Sequence, residues 1–236
     1  ARVLEAARQL LADGGEHKVL SIQLDGAAGS AGVCGGGMTL ALRRWQGAHM
    51  AHRARAIADA LAAGRGEVLS ADELGAAEAA PQTLQPRARL LIVGAGHCGH
   101  ALAQLAVHLD FEVVVADSRP ECFVPGRFYP AQCIDADAPS LQAAADTRRD
   151  LYVVLLNRDY PTDVDSLDAL AGVNSVFMGM MGSARRILQV KQALPHHAAW
   201  LDRVVAPVGL DIGEQTPHEI AVSILAQLVA RRSERA

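Results

Sequence analysis

The chain has 236 residues, of which 50% are hydrophobic and 4% aromatic, and its formal net charge is −4. The negative charge argues against a nucleic-acid-binding surface, and no apolar run approaches the length that spans a bilayer. Because residues 1–5 lack the charged and apolar regions of a signal peptide, we expect a cytoplasmic protein. A core of Ala, Val and Leu with few aromatic residues is typical of a parallel sheet covered by helices on both faces.

The first third of the chain predicts a small α/β domain and a connector. The patterns indicate a helix over Arg2–Ala12, strands over 18–24 and 38–44, and a helix over 48–63. A glycine-rich loop that contains Cys34 joins the two strands. We assign 1–47 to an N-terminal domain too small to fold alone. We assign 48–86 to a helical connector that ends in a linker over 78–86.

From residue 87 onward, short apolar runs alternate with helical patterns, which predicts a βαβ series. The runs that predict strands are 90–94, 112–117, 151–156, 174–178 and 203–206. We assign 87–236 to a Rossmann-like domain, a parallel sheet with helices on both faces. The final helix should begin at Thr216, because Pro217 and Glu219 complete a capping-box pattern. Four apolar residues of this helix should pack on the sheet: Ile220, Ile224, Leu225 and Leu228.

The most informative stretch is the apolar run 90–93, which is followed by three spaced glycines and a helical segment. In a dinucleotide-binding turn, Gly94 permits the tight turn, Gly96 lets a pyrophosphate approach the backbone, and Gly99 lets the helix pack on the strand. The helix N-terminus then faces the anion. His97 opens this helix, where it either donates a hydrogen bond to the anion or fills the crevice beside the turn.

Asp117 ends the next predicted strand, about twenty residues past the glycines, where an acidic residue of such folds binds the ribose hydroxyls. Its charge would repel a 2′-phosphate and so favours NAD, whereas the nearby Arg119 could accommodate the 2′-phosphate of NADP. The alternative is that Asp117 only caps the end of its strand.

A second strand-to-helix turn contributes four candidate binding residues: Gly179, Gly182, Ser183 and Arg185. Its hydroxyl and cationic donors suit a second anion site. The alternative is an ordinary serine cap beside solvated arginines. Asp211 follows the last predicted strand in a glycine-containing loop, at the edge where open α/β sheets bind ligands. It either orients a ligand or orders its loop.

Cys34 is the candidate metal ligand, because a thiolate is a soft ligand for a transition metal. The adjacent Gly35 and Gly36 let backbone N–H groups turn toward an anion. The alternative is a small buried side chain in a glycine turn. The cysteines show no CxxC spacing, and Cys98 and Cys133 are predicted to lie in the core.

Nothing in the sequence demands catalysis. The histidines show no HExxH or other metal-binding spacing, and His196 and His197 are interpreted as a solvated turn. We find no GxSxG elbow, Walker lysine or recognisable Ser-His-Asp set. We therefore expect a protein that binds a ligand without turnover of its own.

Three runs of sequence are more specific than the dinucleotide fingerprint alone. They are GAGHCG at 94–99, GMMGSARR at 179–186, and PVGLDIGEQTPHEIA at 207–221. Together they resemble the XdhC/CoxI family, the accessory proteins that deliver molybdenum cofactor to xanthine dehydrogenase and related molybdenum hydroxylases. The loop at 32–36 is similar to the cysteine-glycine loop that ends the family's N-terminal domain. The resemblance therefore covers most of the chain and implies that 1–47 is part of a longer domain.

The resemblance implies molybdenum cofactor (molybdopterin) as the ligand, and two partners for which the residues themselves carry no signal. These are a molybdenum hydroxylase of the xanthine dehydrogenase type and a cysteine desulfurase that supplies the terminal sulfur. We also expect a homodimer, since a small N-terminal piece would gain burial from a second copy. The alternative functions are an NAD(P)-dependent oxidoreductase, because a fold does not by itself decide function, and a redox-responsive scaffold.

Overall fold

The computed structural model describes residues 2–23, 36–76 and 79–234. The chain divides by its contacts into two compact units, Ala1–Pro86 and Arg87–Ala236. Among the described residues, no helix is both long and apolar enough to cross a membrane.

The described part of the first unit contains two antiparallel strand pairs and three helices. In chain order these elements are α1 (Arg2–Ala12), β1 (His17–Gln23), β2 (Gly37–Arg43), α2 (Gly47–Ala62), β3 (Glu67–Leu69), α3 (Ala71–Leu74) and β4 (Gln82–Leu84). β1 pairs with β2, and β3 pairs with β4. The elements predicted over 2–63 are each found within one residue of their expected bounds. The predicted linker was wrong over 82–84, because three residues are too few to show a strand pattern.

The second unit is built on a five-stranded parallel sheet. The strands are β5 (Arg89–Val93), β6 (Glu112–Ala116), β7 (Gln132–Ile134), β8 (Leu151–Leu155) and β9 (Phe177–Met180). Their order across the sheet is β7-β6-β5-β8-β9. The chain thus builds outward from β5 to β7, returns to the other side of β5, and continues to β9. This reversal makes a topological switch point between β5 and β8, and open α/β sheets bind ligands outside the carboxyl ends of such strands.

Helices cover both faces of this sheet, which confirms the predicted Rossmann-type α/β fold. α4 (His97–Ala106) and α9 (Pro217–Ser233) pack on one face. The other face carries α5 (Ala138–Ala145), α6 (Tyr160–Ala169), α7 (Ala184–Ala193) and α8 (Ala198–Leu201). Side chains of β5 alternate between the two apolar cores, as the period of a strand requires: Leu90 and Ile92 join one, and Leu91 and Val93 join the other.

The start and the packed face of α9 are confirmed. The Thr216 hydroxyl accepts a hydrogen bond from the Glu219 amide at 3.3 Å, and the Glu219 carboxylate accepts one from the Thr216 amide at 2.8 Å. This reciprocal pair satisfies two of the donors that a helix start leaves open. Of the predicted apolar face, Ile224, Leu225 and Leu228 are buried and Ile220 is partly buried in the core beneath α4.

Three predictions about the sheet were wrong. The strand predicted over 174–178 is β9, which begins three residues later, at Phe177, and ends at Met180. Residues 203–206 form no strand but a single bridge between Val205 and Gly179. Pro207 has no N–H to continue the ladder, so the next hydrogen bond to the Met180 carbonyl comes from Val208. β7 was not predicted, because this three-residue edge strand begins with two exposed positions and has no apolar run.

Candidate functional site

The turn after β5 is held tightly by two of its three glycines. Gly94 has a φ of +119°, and a Cβ there would lie 2.8 Å from the Leu156 carbonyl oxygen. A Cβ on Gly99 would lie 1.9 Å from the Gly94 carbonyl oxygen. Both glycines are therefore required by the protein's own packing, Gly94 for the turn and Gly99 for the close approach of α4 to the strand.

Gly96 differs from its two neighbours. Its φ of −68° is one that any residue adopts, and as a glycine it has no side chain to cap α4. A Cβ built on Gly96 would meet nothing within 4 Å. The protein's own packing therefore does not need a glycine here, while the missing side chain leaves the first turn of α4 open. Exposed backbone amides at a helix start are suited to a phosphate oxygen, and the exposed His97 lies beside them.

Asp117, at the end of β6, closes the turn from the other side. Its Oδ2 accepts hydrogen bonds from the Ala95 amide at 2.7 Å and from Arg119 Nη2 at 2.8 Å. Its Oδ1 accepts from the Arg119 amide and from Arg119 Nε, both at 2.9 Å. A carboxylate has about four acceptor positions, so this one is fully used. Ribose hydroxyls can bind Asp117 only if Arg119 moves away.

The pKa of Asp117 reflects this arrangement. Its side chain is only 5% exposed, and this burial by itself raises the pKa. The hydrogen bonds from Arg119 and from the two backbone amides together lower the pKa by a larger amount. The net pKa lies below the usual value, so the carboxylate is charged at neutral pH. Asp117 therefore fastens the glycine turn to the end of β6, in keeping with the strand-cap alternative.

The segment 157–159, which follows β8, is the third part of the candidate site, after the glycine turn and Asp117. Arg186, in the first turn of α7, donates to the carbonyl oxygens of Arg158 at 3.3 Å and Asn157 at 3.4 Å. Its Nε also lies 2.6 Å from Asp163 Oδ2, and the Asp163 side chain is fully buried. Burial raises the pKa of Asp163 above its usual value despite this cation. Arg186 thus joins α6, α7 and this loop at the ligand edge.

This pair was not predicted from the sequence, in which the signal for it is weak. Asp163 lies in the first turn of a helix, where acidic residues are common for reasons of the helix dipole alone. Arg186 lies 23 residues further along the chain. Nothing in the spacing indicates that the two side chains meet.

Cys98 lies in the first turn of α4 and is partly buried against the core beneath that helix. Burial raises the pKa of its thiol, while the positive charge of Arg158 acts in the opposite direction. Arg158 itself is exposed in the segment that follows β8.

The four residues predicted to form a second anion site do not all lie in one turn. Gly179 lies inside β9, where a Cβ would come within 2.5 Å of Val208 and 2.7 Å of Phe177, so packing accounts for this glycine. Gly182, with a φ of +141°, makes the turn into α7. Ser183 caps that helix without a side-chain hydrogen bond, and Arg185 is exposed.

The loop at 209–213 is ordered by α9 and not by Asp211. The Ser223 hydroxyl donates to the Leu210 carbonyl at 2.7 Å, and the Gly209 amide donates to Gln227 Oε1 at 2.9 Å. Asp211 is exposed, and its carboxylate makes no hydrogen bond to any residue in the described ranges. One of the two roles expected for Asp211, the ordering of its loop, is therefore performed by other residues.

Cys34 and Gly35 lie outside the described residues, so their proposed contacts stay predictions. Gly36 is described, with a φ of +92° and nothing within 4 Å of a Cβ built on it. Among the described cysteines, Cys98 and Cys122 are partly buried and Cys133 is exposed, and all three are free thiols. The prediction of a core position was wrong for Cys133, because edge strand β7 leaves it uncovered.

Comparison with known proteins places this geometry in a family. Residues 90–228 match the family model described as the XdhC Rossmann domain. Two curated proteins are similar to this chain. The uncharacterized protein YqeB of Escherichia coli (strain K12) is 36% identical over 152 residues, which cover 61% of this chain and 27% of that protein. A probable xanthine dehydrogenase subunit of Bacillus subtilis (strain 168) is 32% identical over 155 residues, which cover 64% and 45%.

The matched region thus spans less than half the length of either relative. A crystal structure described as a xanthine dehydrogenase from Bacillus halodurans matches the whole chain and 80% of its own, with a TM-score of 0.80 and 22% identity, which shows a shared fold. The family model covers more than half of this chain and includes both the glycine turn and the start of α9. This protein belongs to the XdhC family.

Proposed function

We propose that this protein binds molybdenum cofactor and delivers it to a molybdenum hydroxylase of the xanthine dehydrogenase type. The observation that carries the proposal is the open position at Gly96, at the switch point of a chain that belongs to the XdhC family. A glycine that packing does not require is explained if a ligand phosphate needs its space. The name of the Bacillus subtilis relative supports xanthine dehydrogenase as the enzyme served.

The described residues fit the phosphate end of such a cofactor. The amides at the start of α4 supply hydrogen-bond donors and the positive end of the helix dipole. Arg158, which is exposed in the segment after β8, adds a positive charge to this edge of the sheet, and His97 is exposed at the first position of the helix. Molybdenum cofactor, when bound, supplies the metal and the terminal sulfur that the hydroxylase uses. This chain would hold the cofactor, shield it from water and release it.

For the metal end, we propose Cys34 as the ligand, with Gly35 and Gly36 offering amides beside it. A thiolate is a ligand suited to a transition metal. A partner cysteine desulfurase, homodimer formation and a cytoplasmic location belong to the same proposal. The desulfurase is supported by the family resemblance, and the homodimer by the small size of the first unit.

A second candidate is an NAD(P)-dependent oxidoreductase, which the geometry of the Gly94–Gly99 turn favours. The occupied carboxylate of Asp117 weighs against it, because the group that would bind the ribose already accepts four hydrogen bonds. Titration with NADH and NADPH separates the two candidates. Tight binding with oxidation of the nucleotide by a carbonyl substrate would favour the enzyme.

The decisive experiment is retention of molybdenum cofactor after gel filtration, measured as molybdenum content and pterin fluorescence. The wild type should retain about one cofactor per chain, and Cys34→Ala should lose it. Cys133→Ala is the matched control, because this exposed thiol lies on edge strand β7, and it should behave as the wild type. Failure of the wild type to retain any cofactor would refute the proposed function, and retention by Cys34→Ala would refute the role of Cys34.

A further inference from the structure

Two adjacent histidines and one aspartate converge on the surface of the second unit. His197 Nε2 lies 3.2 Å from Asp168 Oδ1, and His196 Nε2 lies 4.0 Å from the same oxygen. One potential ligand atom from each residue lies within 4.8 Å of the other two. The two imidazole rings are 4.5 Å apart between centroids. Neighbouring side chains on a turn usually diverge, so this convergence on one carboxylate oxygen calls for an explanation.

The separations suit a bound metal ion. Zinc binds imidazole nitrogen at about 2.0–2.1 Å and carboxylate oxygen at about 2.0–2.2 Å, so tetrahedral ligand atoms lie about 3.3–3.5 Å apart. The observed 3.2 and 4.0 Å lie on either side of this range. The three side chains are 65%, 30% and 55% exposed for His196, His197 and Asp168. Small rotations in solvent can therefore close the set around an ion.

The backbone positions that carry these side chains are fixed by the core. Asp168, in the last turn of α6, lies between Leu167 and Leu170, which are both fully buried. The histidines lie in a 3₁₀ turn, Pro195–His197, between the buried Leu194 and Leu201. All four leucines belong to the same apolar cluster. The end of α6 and the Pro195–His197 turn are thus held against one core, which lowers the entropy cost of binding an ion.

The local charges favour a cation. The site lies at the carboxyl-terminal end of α6, where the helix dipole is negative, and Asp168 adds a full negative charge. The basic residue in the last turn of α7, Lys191, is paired with Asp202 at 2.6 Å, so part of its charge is neutralised. Imidazole and carboxylate together prefer first-row transition metals such as Zn²⁺, whereas Mg²⁺ and Ca²⁺ prefer oxygen ligands alone.

We propose that Asp168, His196 and His197 form a binding site for a divalent transition-metal ion of the zinc class, with water in the remaining coordination positions. The ion would join α6 to the turn after α7. This site is separate from the glycine turn. α6 starts at the carboxyl edge of the sheet and runs back for about 15 Å, so Asp168 lies toward the opposite edge.

The test is titration of the full chain with Zn²⁺ in competition with a chromophoric chelator. The wild type should bind one zinc per chain at this site. The double variant His196→Gln/His197→Gln and the single variant Asp168→Asn should each weaken that binding by at least about 10-fold, which is the effect of losing even an outer-shell partner. His108→Gln is the matched control, because it removes an exposed histidine of the same unit outside the cluster, and it should bind as the wild type does.

Thiol binding is separated from this site by a parallel titration with Co²⁺, since a thiolate ligand produces a strong near-ultraviolet charge-transfer band and imidazole does not. The expected Co²⁺ spectrum lacks that band and is lost in the double variant. Zinc binding of equal affinity in the wild type and the double variant would overturn the proposal, as would a thiolate band that accounts for all bound Co²⁺. Because these titrations use Zn²⁺ and Co²⁺ alone, their outcome is independent of molybdenum cofactor retention.

Discussion

Replacement of Gly99 by Ala would put a methyl carbon 1.9 Å from the carbonyl oxygen of Gly94. Carbon and oxygen atoms in contact are normally at least about 3.3 Å apart. The helix would therefore have to move away from the turn by more than about 1 Å. The contacted atom belongs to the backbone of a turn that is held by Asp117 through Ala95, so little can give way. We expect a loss of about 3 kcal/mol in the free energy of unfolding, the upper end of the range for overpacking.

Gly96→Ala is the paired variant. The added Cβ meets nothing within 4 Å, and the φ of −68° suits alanine. The poorer N-cap preference of alanine and its smaller unfolded-state entropy act in opposite directions, so stability should stay within about 1 kcal/mol of the wild type. The methyl group nevertheless enters the space proposed for the ligand phosphate. Cofactor retention should therefore fall although the fold is intact.

Urea unfolding followed by circular dichroism measures the first effect, and gel filtration with molybdenum analysis measures the second. We expect opposite patterns, with Gly99→Ala losing stability and Gly96→Ala losing the ligand. A Gly99→Ala protein as stable as the wild type would refute the packing of α4 on the turn. Full cofactor retention by Gly96→Ala would refute the phosphate position.

Three further outcomes are expected. Gly209→Ala should destabilise the protein by about 2 kcal/mol in thermal unfolding, because its φ is +107° and the new Cβ would lie 2.2 Å from the Ser223 hydroxyl oxygen; unchanged unfolding would contradict the docking of this loop on α9. Arg119→Ala should lower the free energy of unfolding by about 1 kcal/mol at neutral pH. The value is small because solvent screens the charge of the half-exposed guanidinium. The lowered pKa of Asp117 makes its stabilisation present above about pH 4 and lost as the pH falls through the folded-state value, so urea unfolding should show the wild type and this variant converging in acid. Arg186→Ala should lower the free energy of unfolding by about 3–5 kcal/mol at neutral pH, because it leaves the Asp163 carboxylate buried without its cation. The raised pKa of Asp163 means that its ionisation costs stability as the pH rises through the folded-state value, so this variant should be less destabilised near pH 5 than near pH 8, and an equal loss at both would contradict the assignment.

Local patterns in the sequence were sufficient for much of the fold. The glycine spacing at 94–99 and the capping box at Thr216 predicted a turn and a helix start that the structure confirms, because the atoms involved are at most a few residues apart. Strand periodicity likewise predicted β5, β6 and β8 near their observed bounds. The same local view failed for β7 and for 203–206, whose state depends on strand pairing and not on their own composition.

The partners of the polar side chains, in contrast, are visible only in the folded chain. The order of residues predicted that Asp117 ends a strand beside the glycine turn, but not that Arg119 and the Ala95 amide fill its acceptor positions. It predicted a histidine pair on a turn, but not that Asp168, 28 residues before the first histidine, lies within reach of both rings. Helix caps and turns arise from hydrogen bonds between near neighbours, so short sequence patterns reveal them. Contacts between distant residues depend on how helices pack on the sheet, which is decided by the whole core at once.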